Sequence, residues 1–101
     1  MNWSEKYRLA AKKWTELDSA ASLLENLRSA NLSQLMLSNH TESVSKAEML
    51  ARASPKWTEY NEAMVEARRK ANLAKAEEQW VRMKHAEQQS EEATARAERR
   101  M

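Results

Sequence analysis

A chain of 101 residues with no glycine and one proline has almost no residue suited to left-handed backbone. Glycine is the usual occupant of tight hairpin turns and phosphate-cradling loops, because it enters positive φ without steric cost. Its absence removes P-loop and dinucleotide-binding fingerprints outright. The absence of Cys removes disulfides, thiol nucleophiles and thiolate zinc sites as well. What remains is rich in Ala, Glu, Lys, Arg, Leu and Met, all strong helix formers. The expected class is a single all-α domain over residues 1–101: a long antiparallel helical hairpin with a short helical elbow, oligomerising as a helical bundle or coiled coil.

Three helical segments are predicted. Over about 3–38, Trp3, Tyr7, Ala10, Trp14, Leu17, Ala21 and Leu24 follow alternating steps of four and three, the seam of a heptad coil. Leu23, Leu27, Ala30 and Leu37 then widen the apolar surface. The polar run Ser38-Asn39-His40-Thr41 marks a turn. A short helix at about 45–53 is signalled by Ser45-Lys46-Ala47-Glu48, a capping-box pattern, with Met49, Leu50 and Ala53 expected to face inward. Ser54-Pro55 ends that helix and starts the next, with Ser54 as N-cap and Pro55 at the first helical position. No breaker follows, so a rod over about 55–97 is expected.

Two stripes are read on that rod. Trp57, Tyr60, Met64, Ala67, Ala71 and Ala74 form one; Leu73, Ala76, Trp80 and Met83 form another on a nearly opposed face. One intrachain neighbour can cover only one of them. Beyond Glu87 the stripe thins to Ala93, Ala95, Ala97 and Met101. An extended chain rich in buried Ala gains little transfer free energy, so self-association is the expected remedy. A homodimer is favoured, with Leu23, Leu24, Leu27, Leu32, Leu35 and Met36 at its centre and Leu73, Trp80 and Met83 as further candidate interface residues.

Chemistry is sparse. His40 and His85 are far apart and neither belongs to a Glu-x-x-His pair, so no metal site is expected. The carboxylate neighbours Glu77-Glu78 and Glu91-Glu92 point about 100° apart on a helix and cannot share a proton. No catalytic residue, cofactor or small-molecule substrate is expected, and the protein is not read as an enzyme. The longest apolar runs are three residues, as at Leu35 to Leu37, far short of the roughly 20 that cross a bilayer. With no apolar stretch near Met1, a cytoplasmic location in a bacterial cell is expected.

Charge gives the sharper candidates. The net charge is +2, yet residues 66–84 carry six basic and three acidic side chains. Arg68, Lys75 and Arg82 repeat every seven residues on one face, with Arg69, Lys70 and Lys84 beside them. A stripe of that kind fits phosphate contacts, sequence-independent and salt-sensitive. The plainer reading pairs these cations with Glu66, Glu78 and Glu87 along the helix. Lys6, Arg8, Lys12 and Lys13 lie among Trp3, Tyr7 and Trp14, a mixture that single-strand binders use, although the seam spacing assigns those aromatics to a core. Trp80 and Met83 suit a protein interface, either closing the oligomer or anchoring another protein.

The stretch from Ser45 to Met101 carries Ser45, Ala47 and Glu48, then Tyr60, Ala63, Ala67 and Arg68, then Glu92-Ala93-Thr94-Ala95-Arg96-Ala97-Glu98. On these residues it resembles small helical coiled-coil accessory proteins encoded in the recombination and early gene modules of temperate bacteriophages. The resemblance implies a non-enzymatic interaction protein, accessory to DNA recombination or replication through a protein partner or the DNA backbone. It leaves open an inhibitor of a host nuclease or CRISPR-type defence complex, and a weak sequence-independent DNA-binding protein. The near-balanced charge disfavours direct mimicry of DNA.

Overall fold

The structure is a computed structural model and describes residues 1–41 and 43–100. Met101, the last member of the thin terminal stripe, lies outside the described residues. Four helices follow one another: α1 (Trp3–Asn26), α2 (Arg28–Ser38), α3 (Val44–Ala53) and α4 (Pro55–Arg99). No strand occurs among the described residues. Each long helix begins on a side-chain cap. Asn2 Oδ1 accepts from the Glu5 amide at 2.8 Å, and Ser54 Oγ accepts from the Trp57 amide at 3.3 Å with Pro55 just inside the helix. These caps satisfy amide donors that the first helical turn leaves without partners.

The seam of α1 follows the spacing of its sequence. Trp3, Tyr7, Ala10, Trp14, Leu17 and Leu24 are half-buried and Ala21 is fully buried. They meet α4. Tyr60 Oη donates to the Leu24 carbonyl, Arg68 reaches Asp18, Lys75 lies over Trp14, and the rings of Trp80 and Trp3 meet edge to face at 5.7 Å.

On α4 the structure corrects the two-stripe expectation. The buried line runs through Trp57, Tyr60, Met64, Ala67, Ala71 and Ala74 as expected. It then continues in the same heptad register through Glu78, Val81, His85, Gln88 and Ala95. Leu73, Ala76, Trp80 and Met83 lie at outward positions instead. Hydrophobicity misdirects here because three of the four seam positions from Glu78 to Gln88 (Glu78, His85 and Gln88, with Val81 the exception) are polar. Trp80, although exposed, still meets Trp3 on α1, as Tyr60 meets Leu24, so opposed stripes on α4 do not by themselves require a second chain.

Three local features also differ from expectation. The first segment is two helices, divided at Leu27 (φ −90, ψ 0), although the hydrogen bonds Leu27 N–H to Leu23 O and Asn31 N–H to Leu27 O pass through the division. No glycine or proline marks it. Arg28, the first residue of α2, places its guanidinium 4.9 Å over Trp57 and donates to Asn61 Oδ1, so a tertiary contact to α4 sits beside the division. The cap of α3 is Ser43 rather than Ser45, its Oγ accepting from the Lys46 amide. The inward residues of α3 are Ala47 and Ala51, whereas Met49, Leu50 and Ala53 are exposed. Two alanines four apart let helix backbones approach closely, which longer side chains would prevent. Finally, His40 leaves α2 at φ 46, in the left-handed region that a glycine would enter without strain.

Burial is meagre. The hydrophobic core comprises Ala21, Ala47, Ala51, Trp57, Ala71, Ala74 and Val81. The chain measures 84 × 20 × 15 Å with a radius of gyration of 23.0 Å, where a compact chain of this length would have roughly 13 Å. Its accessible surface is 7686 Å², against roughly 5,900 Å² for a compact protein of the same mass.

Candidate interaction surfaces

The two sides of the α1/α4 pair differ sharply. One side is closed by Arg68, whose guanidinium bridges helices. Its Nε and Nη2 donate to the two carboxylate oxygens of Glu25 at 2.9 and 2.7 Å, Nη1 donates to Asp18 Oδ1 at 2.7 Å, and Nη2 also reaches Ser22 Oγ at 3.3 Å. Such a fork matches carboxylate geometry in a way a lysine cannot. The side chain is anchored within the chain.

That anchoring shows in titration. The hydrogen bonds from Arg68 hold the Glu25 carboxyl below its ordinary value, and the two carboxylates push the guanidinium upward in turn. Arg69 lowers Glu66 in the same way within α4. The sign follows. A folded-state carboxyl depressed below its unfolded value of roughly 4.3 contributes stability that is present above that pH and lost as pH falls through the folded value. The thermal stability of the wild-type chain is therefore expected to fall with acid below about pH 4.5, and Glu25→Gln should flatten that dependence. Equal acid slopes in the two proteins would contradict the assignment. The pair is partly exposed, so added salt should reduce the difference.

The remaining basic candidates are placed as follows. Arg69 Nη2 lies 2.6 Å from Glu66, Lys84 Nζ lies 3.3 Å from Glu87, and Arg82 Nε approaches Glu78 at 4.0 Å. Lys75 covers Trp14, and Lys70 stands on the opposite side of the pair beside Leu73 and Glu77. Arg68, Lys75 and Arg82 do share one face, but Arg68 is turned inward toward α1. Near the α1 N-terminus, Lys6 sits 4.3 Å over Trp3.

The other side of the pair is open. A groove of about 540 Å³ is lined by Ala10, Lys13, Leu17, Lys70, Leu73, Ala74 and Glu77. A second, of about 460 Å³, shares Ala10, Lys13 and Glu77 with it and continues to Leu9, Trp3, Trp80 and Met1. Within this lining Leu73 is 58% exposed, Trp80 47% and Leu9 42%, while the exposed Leu23 and Leu27 stand outside it. Of the candidate interface residues, Leu24, Leu32, Leu35 and Met36 are half-buried within the chain, whereas Met83 is exposed on the outer edge of α4.

The elbow end forms a third surface. Met36, Leu37, His40, Val44 and Ala47 line a cavity of about 360 Å³ between α2 and α3, and Leu37, Val44 and Met49 are exposed around it. Trp57 fastens this end to the rod. Its ring stacks parallel on Tyr60 at 6.1 Å and lies under Arg28 and Arg52. No protein-family model, curated protein or solved structure matches this chain.

Among the described residues, no three His, Asp or Glu side chains converge on a metal position, and no helix is long and apolar enough to cross a membrane. Sequence reasoning missed the Arg68 bridge because its partners stand on another helix, 43 and 50 residues away. A signal was present: Arg68 and Asp18 both flank their own helix seams, at the positions where coiled coils place interhelical charge pairs. Glu78 was missed as a seam residue for the opposite reason, since a carboxylate is rarely fully buried.

Proposed function

We propose that this protein acts by binding alone, as a non-enzymatic helical accessory whose antiparallel α1/α4 pair presents apolar surface to another polypeptide. One observation carries the reading: large hydrophobic side chains stand exposed along one side of the pair while the other side is closed by a charged bridge. Exposed apolar patches rimmed by charge are the ordinary mark of protein interfaces. Phosphate binding has less support, because Arg68 is held by Asp18 and Glu25 and Arg69 by Glu66. The setting in phage DNA recombination or replication rests on the resemblance of residues 45–101 to such accessory proteins.

Two measurements test this reading. Co-purification of a tagged chain with a phage recombinase or annealing protein is expected, and recovery of unrelated host proteins alone would contradict it. Titration with duplex and single-stranded DNA should give little binding at physiological salt. Tight binding that falls steeply with salt, and is lost when Arg68, Lys75 and Arg82 become Glu, would replace the reading with DNA-backbone recognition.

A further inference from the structure

We propose that the open groove between α1 and α4 seats a second copy of this chain, related to the first by a twofold axis across the groove. The inference rests on the reading above that this side meets another polypeptide and names that polypeptide as a second copy, which leaves the exposed elbow residues Leu37, Val44 and Met49 for any further partner. Continuity is the first ground. The two grooves share Ala10, Lys13 and Glu77, so they form one trough rather than separate pockets. Both helices line the trough, α1 from Trp3 to Leu17 and α4 from Lys70 to Val81, roughly 21 and 17 Å at 1.5 Å per residue. Two copies in antiparallel alignment bring Leu9, Leu17 and Leu73 of one against those of the other, the self-complementary geometry that a twofold interface requires.

Charge supports the same occupant. Lys13 and Lys70 stand beside Glu77 in the trough. A rim of mixed sign can pair with an inverted copy of itself, whereas a polyanion would call for a uniformly basic one. A stable dimer buries roughly 800 Å² on each partner. The chain exposes roughly 1,800 Å² more than a compact protein of its mass, spread along the whole rod, so an interface of that size extends beyond the trough onto the surface beside it. The result is a four-helix bundle built from two α1/α4 pairs, with the Arg68 bridges on its outer sides.

Sedimentation equilibrium on the full chain and three variants tests this. Leu73→Glu and Leu9→Glu each place a charge in the trough from a different helix. Both leucines are exposed in the single chain, so helicity by circular dichroism should survive. Each change occurs twice in a symmetric dimer and should weaken self-association by about 100-fold or more. Val65→Glu places the same charge on the Arg68 side, near Glu25 and Arg68, and should leave the mass of the dimer unchanged. A dimer dissociated by both trough variants and not by Val65→Glu is the expected pattern. A dimer lost only in Val65→Glu would overturn the trough as its seat. A wild-type chain of 11.7 kDa at every concentration would overturn the second copy altogether. That last outcome is separate from failure of the broader reading, which shows instead as an absence of the recombination partner.

Discussion

Replacing Trp57 by Ala is expected to lower the unfolding free energy by about 3–5 kcal/mol, the usual range for truncating a buried Trp. Trp57 is 6% exposed and is the only large aromatic residue in the buried core among the described residues. Its ring joins three helices: Tyr60 stacks on it from α4, Arg28 covers it from α2, and Arg52 reaches it from α3. Removing the ring leaves a cavity at the one place where the elbow is fastened to the rod. A chain of this length has a total stability of about 5–15 kcal/mol, and its alanine-rich core places it toward the lower part of that range. Chemical denaturation followed by circular dichroism reads the loss. Helices α2 and α3 should melt first, because neither has another large buried anchor. A loss below about 1 kcal/mol would show that the elbow is held by something other than Trp57.

The opposite effect is expected at Glu78. This carboxylate is 3% exposed at a seam position, and the cation it meets, Arg82 Nε, stands at 4.0 Å, beyond hydrogen-bond reach. Burying a charge without close partners is costly, and replacing buried ionic groups by apolar ones of similar volume often stabilises by about 1–4 kcal/mol. Glu78→Leu should therefore raise the thermal midpoint by several degrees, at roughly 4–8 °C per kcal/mol for a chain near 100 residues. It should also loosen specificity. A single polar residue in a coiled-coil seam selects register and partner number at a cost in stability, so the variant is expected to show more than one oligomeric species. A lower midpoint would mean that Glu78 makes a favourable contact in the assembled protein. His85, one heptad further, belongs to the same polar stretch: its ring stacks on Tyr7 at 6.3 Å and its Nδ1 is buried without a hydrogen-bond partner.

Much of the fold can be read from residue spacing, and the exceptions have physical causes. The α1 seam from Trp3 to Leu24 is legible because every member is aromatic, aliphatic or Ala and the step pattern never breaks. The start of α4 is legible because Ser54-Pro55 supplies both a cap acceptor and a fixed φ. The seam beyond Ala74 is not, because Glu78, His85 and Gln88 occupy it and the eye follows Leu73 and Trp80 to the wrong side. The division at Leu27 is hidden for another reason: no glycine, proline or other local breaker announces it, and the contact beside it, Arg28 on Trp57, joins residues 29 apart in sequence. The inward face of α3 is missed because close helix approach selects Ala47 and Ala51 over larger neighbours.

The interaction surface is legible only in part. Leu23, Leu27, Leu73 and Trp80 are recognisable as interface candidates from composition and periodicity, yet which of them share one side depends on how α1 lies along α4. Leu24, Leu32, Leu35 and Met36 look equivalent to them in sequence and are half-buried within the chain. The basic residues divide in the same way. Nothing local separates Arg68, which bridges two helices, from Lys70, which stands in the open trough.

Small-angle X-ray scattering of the wild-type chain tests the central claim most directly, because it reports mass and shape together. The trough lies near the middle of the 84 Å rod, so two copies inverted about it should double the mass from 11.7 kDa and thicken the cross-section while the length stays close to that of one chain. Scattering from a particle of 11.7 kDa with a radius of gyration of 23.0 Å, unchanged with concentration, would describe a solitary rod whose leucines face water, and would contradict the account.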